Sequence, residues 1–114
     1  MNKKACNVVE KTIDRHSYLW RNDRECNEVR VELALNDCYD LLKGRGYLFL
    51  NRVYLKLWLP ATKEGQISGW VYDETRKYDT IGTIWHKDDD EVDVHITFEP
   101  LENILDALPS EEEL

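Results

Sequence analysis

Apolar residues recur at three-to-four spacing through the first third of the chain and at alternate positions near its end. Val9, Ile13, His16 and Trp20 follow one helical face, and Val31, Leu35, Cys38 and Leu42 follow one further on. No glycine or proline interrupts before Gly44, so the spacing predicts helix over residues 4–43, as two segments or one long bent helix. Arg21–Arg24 between the halves is polar on all sides, and Asn22 or Asp23 would cap a break there. Gly44 and Gly46 supply the positive-φ positions that end the helix.

The next stretch is short-range and ambiguous. Leu48, Phe49 and Leu50 are apolar, and Asn51 reads as the N-cap of a two-turn helix over 52–59, with Leu50 and Leu55 as staple partners. A strand competes, because Val53, Leu55, Leu57 and Leu59 also alternate; the cap favours helix. Pro60 stops it. Thr62 caps one further turn, closed by Gly65 and Gly69.

From Trp70 the period changes to two. Residues 70–72 start a sheet, 74–79 form a polar connection, and 80–86 and 92–98 are strands of a hairpin with an acidic turn. With Asp89 and Asp90 at the tip, Trp85 faces Val94, Thr83 faces Ile96 and Ile81 faces Phe98. That register gathers Ile81, Trp85, Val92, Val94, Ile96 and Phe98 on one face. Pro100 opens a last helix over 101–108, with Leu101, Ile104, Leu105 and Leu108 on one side. The fold class expected is α+β: a long or bent N-terminal helix, a short second helix, a three-stranded antiparallel meander and a C-terminal helix. Residues 1–109 form one domain and 110–114 an acidic tail.

Composition narrows the function classes. With 114 residues, 42% of them hydrophobic, one small core is available. No apolar run approaches the ~20 residues of a membrane span, and the lysine-bearing start lacks an apolar signal core, so a soluble cytoplasmic protein is expected. The net charge of −8 is unevenly spread. Residues 1–57 hold 11 Lys and Arg against 8 Asp and Glu; residues 58–114 hold 4 against 15. The acidic half argues against nucleic acid as a direct partner and permits a basic protein, while a solvated turn is the plainer origin of such a run.

Few residues are arranged for chemistry. Cys6, Cys26 and Cys38 contain no CxxC pair, and on one helix they lie too far apart to bridge, so reduced thiols are expected. In the hairpin register His86 faces Asp93 with His95 diagonal, a weak candidate for a divalent metal; a polar face with a cross-strand pair is the simpler account. Asp88, Asp89, Asp90 and Asp93 lack the spacing and glycine of a calcium loop, and Asp88, Asp89, Asp90 and Glu91 are acidic candidates for contact with a partner. There is no phosphate-binding glycine loop and no nucleophile elbow, so neither catalytic residues nor a cofactor is expected. Four tryptophans and six tyrosines exceed what so small a core needs. Trp58, Trp70, Tyr47 and Tyr78, with Tyr18 as a further contributor, are candidates for a protein-binding patch, since Trp, Tyr and Arg favour such surfaces.

The pattern Gly46-Tyr47-x-x-Leu50-Asn51-x-Val53-Tyr54, then Leu59-Pro60-x-Thr62-x-x-Gly65-x-x-x-Gly69-Trp70-Val71-Tyr72-Asp73, resembles a segment common in small proteins of unknown function. Those proteins are carried on phages and conjugative elements of Gram-positive gut bacteria. Trp58 stands where that segment usually has glycine, and Arg52 where it usually has an acid. The resemblance implies an accessory protein of a mobile element. Three functions follow in order. The first is a non-enzymatic protein-interaction module that docks on another protein or on its own copy as a homodimer. The second is an acidic anti-defence inhibitor, filling the basic nucleic-acid groove of an enzyme with residues 88–93 and 111–113. The third is a small metal-dependent enzyme using His86, Asp93 and His95.

Overall fold

A computed structural model describes residues 7–73 and 81–105. Its elements in chain order are β1 (Val9–Ile13), α1 (Arg24–Arg45), β2 (Tyr47–Phe49), α2 (Leu50–Lys56), β3 (Gly69–Val71), β4 (Gly82–Trp85) and β5 (Val94–Phe98), with a 3-10 turn at Glu64–Gln66 before β3. The class is α+β, with two helices and antiparallel sheets.

The first third divides where its polar patch lies, but its two parts differ in kind. Asp23 caps α1 by accepting the Cys26 N–H at 2.9 Å. Before it the chain is a strand, not a helix. Val9, Lys11 and Ile13 alternate on the inner face opposite Phe98, Ile96 and Val94 of β5. The four-residue spacing of Val9 and Ile13 fits both periods, and Lys11 hides the alternation. Its ammonium lies 5.1 Å from the Tyr54 ring centroid, a cation–π contact that makes a lysine tolerable there. Helix α1 buries Val31, Leu35, Cys38 and Leu42 and runs through Gly44 to Arg45. Gly46, at φ 87°, ends it with its N–H on the Leu42 carbonyl.

The three-stranded sheet has the order β1–β5–β4, so its third strand comes from the N-terminus and not from Trp70. Strand β3 instead pairs with β2, Leu48 opposite Trp70. The β4–β5 hairpin exists, but its register is one residue from the expected one: Trp85 faces His95, Ile84 faces Ile96 and Gly82 faces Phe98. Ile84 and Trp85 are adjacent and both apolar, so either could take the inner face. The chain packs half-buried Ile84 on the face of Val94, Ile96 and Phe98 and turns Trp85 to the other face onto His95, ring centroids 4.5 Å apart. Gly82 makes this register possible, because a Cβ there would meet the Phe98 ring at 2.9 Å. Phe98 is fully buried and joins the layers, edge-on to Tyr54 at 6.2 Å and to Trp70 at 6.4 Å.

Two local expectations also change. Asn51 is not a cap, since α2 begins at Leu50; its amide instead clamps Thr62 through both the N–H and the C=O at 2.9 Å. Thr62 does cap the following turn, accepting the Gly65 N–H at 3.0 Å. The helix expected over 101–108 does not start at Leu101, which exchanges backbone hydrogen bonds with Gly69 and so joins the end of β5 to β3. Residues 106–108 and the connection 74–79 lie outside the described residues.

Candidate functional site

The expected metal set is not brought together: with the register shifted by one residue, His86 falls on the side of α1 and His95 on the outer face, and each is engaged by protein partners. The β4–β5 loop folds against the first turns of α1. His86 Nδ1 donates to the Asp93 carbonyl at 2.9 Å, and its Nε2 pairs with Glu28 of α1. Arg24 reaches the same Glu28 carboxylate at 3.3 Å and donates to the Asp89 carbonyl. Asp93 turns its carboxylate away, accepting the Trp20 indole N–H at 2.9 Å. On the outer face His95 Nε2 donates to Glu91 Oε1 at 2.8 Å, and its Nδ1 lies 3.0 Å from the Thr12 hydroxyl. Glu91 also accepts the Lys87 N–H at 2.6 Å. Among the described residues no group of three or more His, Cys, Asp or Glu side chains is placed to hold a metal ion.

The electrostatics follow from these pairs. Partial burial pushes the Glu28 carboxyl up, but hydrogen bonds from Arg24 and His86 outweigh it and leave the group below the usual carboxylate range. The His95 and Lys87 hydrogen bonds hold Glu91 below that range. Asn27, buried at the same junction, accepts the Arg21 N–H at 2.7 Å and donates to the carbonyls of Arg21 and Val92 at 2.8 and 3.0 Å. One amide thus ties α1, the β1–α1 loop and the hairpin loop together. Cys38 is free and buried in α1, where burial pushes its thiol up to about 11, unsuited to a nucleophile. Cys26, also free, is half-buried; Cys6 lies outside the described residues.

The aromatic candidates separate sharply. Trp70 is buried and serves the core. Tyr47 is half-buried, edge-on to Phe49 at 5.8 Å. Tyr78 lies outside the described residues. Trp58 is 61% exposed and stacks on Tyr18, itself 71% exposed, with ring centroids 4.8 Å apart and planes 19° from parallel. Asp88, Asp89 and Asp90 are exposed at the hairpin tip, and Glu91 is half-buried behind them.

Backbone geometry explains how Trp58 is presented. After α2, the Leu59 N–H bonds back to the Tyr54 carbonyl at 2.8 Å and the Trp58 N–H to the Leu55 carbonyl at 3.2 Å. That is a Schellman ending, whose pivot residue takes the left-handed conformation and is usually glycine. Trp58 holds that pivot at φ 58°, the one non-glycine residue with positive φ among those described. A side chain there costs about 1–2 kcal/mol. Folding alone favours glycine at this position, yet the tryptophan there is exposed. Leu55, one turn earlier and expected as the staple partner of Leu50, is instead 64% exposed.

Over residues 2–108 the chain matches a family of unknown function, DUF6353. The protein belongs to that family. No curated protein and no solved structure matches it significantly. No described helix is long and apolar enough to cross a membrane. For this DUF6353 protein the functional reading therefore rests on its own surface.

Proposed function

We propose that this chain is a non-enzymatic protein-interaction module, a cytoplasmic accessory protein of a mobile genetic element that works by contact with another protein or with its own copy. The observation that carries the reading is the stacked, exposed Tyr18–Trp58 pair, held out by a strained backbone instead of being buried. Large aromatics that reach solvent at a fixed geometry lose little side-chain entropy on binding and are the usual anchors of protein interfaces. The engagement of His86, His95, Glu28 and Glu91 with one another and with backbone groups supports a structural use of these residues over a catalytic one.

A second reading, an acidic inhibitor of a basic nucleic-acid enzyme, is favoured by the three exposed carboxylates Asp88, Asp89 and Asp90 side by side at the hairpin tip. The experiment that separates the two is affinity capture with the tagged full chain from a lysate of a Gram-positive gut bacterium, at low and high salt, with the oligomeric mass measured alongside. A partner or a dimer that is lost in Trp58→Gly supports the first reading. A basic nucleic-acid enzyme lost at high salt, and lost again when Asp88, Asp89 and Asp90 become Asn, supports the second. A monomer that captures nothing contradicts both.

A further inference from the structure

We propose that the Tyr18–Trp58 surface receives an acidic linear segment of a partner protein. An aliphatic or aromatic side chain of that segment packs on Leu55 and the two rings, and its carboxylates lie among the surrounding Arg and Lys side chains. The inference rests on the protein-interaction reading above and names the chemistry of the partner.

Charge carries it. The two segments that meet at the stacked rings are residues 15–21, which present Tyr18, and residues 52–63, which present Leu55 and Trp58. Together they contain Arg15, Arg21, Arg52, Lys56 and Lys63 and neither Asp nor Glu, in a chain of net charge −8 that holds 23 acids. All five basic side chains are exposed. Among the described residues none of the five is in an ion pair within 4 Å, although Asp37 of α1 lies with Arg52 and Lys56 near Cys38. Arg21 is also fixed in place, with one guanidinium nitrogen donating to the carbonyls of Tyr18 and Trp20 at 3.3 and 2.8 Å. Its remaining donors are free to face a partner. Asp14, which borders the first segment, has its carboxylate turned to the His16 N–H at 2.9 Å.

The two segments therefore combine exposed apolar and aromatic side chains with exposed cations, on an otherwise anionic molecule. Complementarity calls for carboxylates around an apolar anchor. A nucleic acid would find stacking rings here too, but its closely spaced phosphates would face the net negative charge of the rest of the chain. A peptide places a few carboxylates at the rim and leaves the acidic hairpin tip untouched.

The test uses the full chain and a fluorescently labelled short peptide of alternating Glu with Leu and Phe. The same peptide with Lys for Glu, an oligothymidylate, and phosphatidylglycerol vesicles serve as alternatives. The acidic peptide is expected to bind in the micromolar range and to weaken about tenfold in Trp58→Gly and about threefold in either Arg52→Glu or Lys56→Glu. Its affinity is expected to fall as salt is raised. Trp58→Gly places glycine in the conformation it prefers, so loss of binding there is not loss of fold. Equal binding of the Lys peptide, indifference to all three substitutions, or no binding at all would overturn the inference. So would oligothymidylate or vesicles binding through these residues while the acidic peptide does not. A basic or neutral protein captured through Trp58 would overturn the acidic-segment inference and leave the protein-interaction reading standing. Peptide binding beside a lysate that yields no protein and no dimer would overturn the protein-interaction reading and, with no partner to carry the segment, the inference as well.

Discussion

Replacing Asn27 by Ala removes the single amide that joins the β1–α1 loop, α1 and the hairpin loop. Its side chain makes three hydrogen bonds and is 1% exposed. Alanine removes the partner of the Arg21 N–H and the Asn27 bonds to the Arg21 and Val92 carbonyls, of which the Arg21 carbonyl still accepts the Asp23 N–H at 2.8 Å. A net hydrogen bond contributes about 1 kcal/mol, so the loss is about 3 kcal/mol, offset by roughly 0.5 kcal/mol of better helix propensity. The expected cost is about 2–3 kcal/mol, or a fall in Tm of about 10–15 °C. Asn27→Asp keeps the shape and the acceptor for Arg21 but sets a buried carboxylate against two carbonyl oxygens. Burial raises that carboxyl above its unfolded value. Its penalty is therefore complete above the raised pKa and disappears below the ordinary Asp range near pH 4. The assay is urea unfolding of both variants and the parent, followed by tryptophan fluorescence at pH 7 and pH 4. Asn27→Ala within about 0.5 kcal/mol of the parent, or an Asn27→Asp penalty that does not shrink at pH 4, would refute the reasoning.

Two alanine substitutions of glycine should move stability in opposite directions. Gly69→Ala drives a Cβ to 2.0 Å from the Leu48 carbonyl oxygen, which cannot yield without parting β2 from β3, and should cost about 3 kcal/mol or more in urea melts. Gly44→Ala, in α1 with open space around it, should add about 0.5–1 kcal/mol. Trp58→Gly should leave stability within about 1 kcal/mol of the parent, because relief of the left-handed backbone offsets the lost Tyr18 stack, each on the order of 1 kcal/mol. Glu28 and Glu91 both have lowered carboxyl pKa values. Their stabilisation is present above the unfolded Glu range and is lost as pH falls below about 4.5 through the lowered values. Glu28→Gln should flatten that acid limb in a Tm-versus-pH series.

Local punctuation was legible in the sequence, and long-range pairing was not. Asp23 as cap, Gly46 as stop, Thr62 as cap of its turn and the β4–β5 hairpin are each set by neighbours within a few residues. Strand β1 is set by β5, more than eighty residues away, and nothing local to Val9–Ile13 distinguishes a strand from two helical turns. The hairpin register turned on whether Ile84 or Trp85 faced inward, and Gly82 beneath Phe98 decided it, a contact visible only in three dimensions. His86, Asp93 and His95 were placed near one another from sequence, but Glu28, Trp20 and Thr12, which occupy them, come from elements far along the chain. Trp58 was singled out from its chemistry. Tyr18 was named with it, but the conformation of Trp58 and the stacking of the two rings appeared only with the fold.

The central claim is that the Tyr18–Trp58 surface meets another protein. The most direct measurement replaces Trp58 with the photocrosslinker benzoylphenylalanine in the full chain, irradiates in cells, and identifies what is joined to it. Leu33, 60% exposed on α1, serves as the control position. A discrete protein adduct, or a crosslinked dimer, formed from position 58 and not from position 33 is the predicted result. No adduct at position 58, or the same products from both positions, would contradict it.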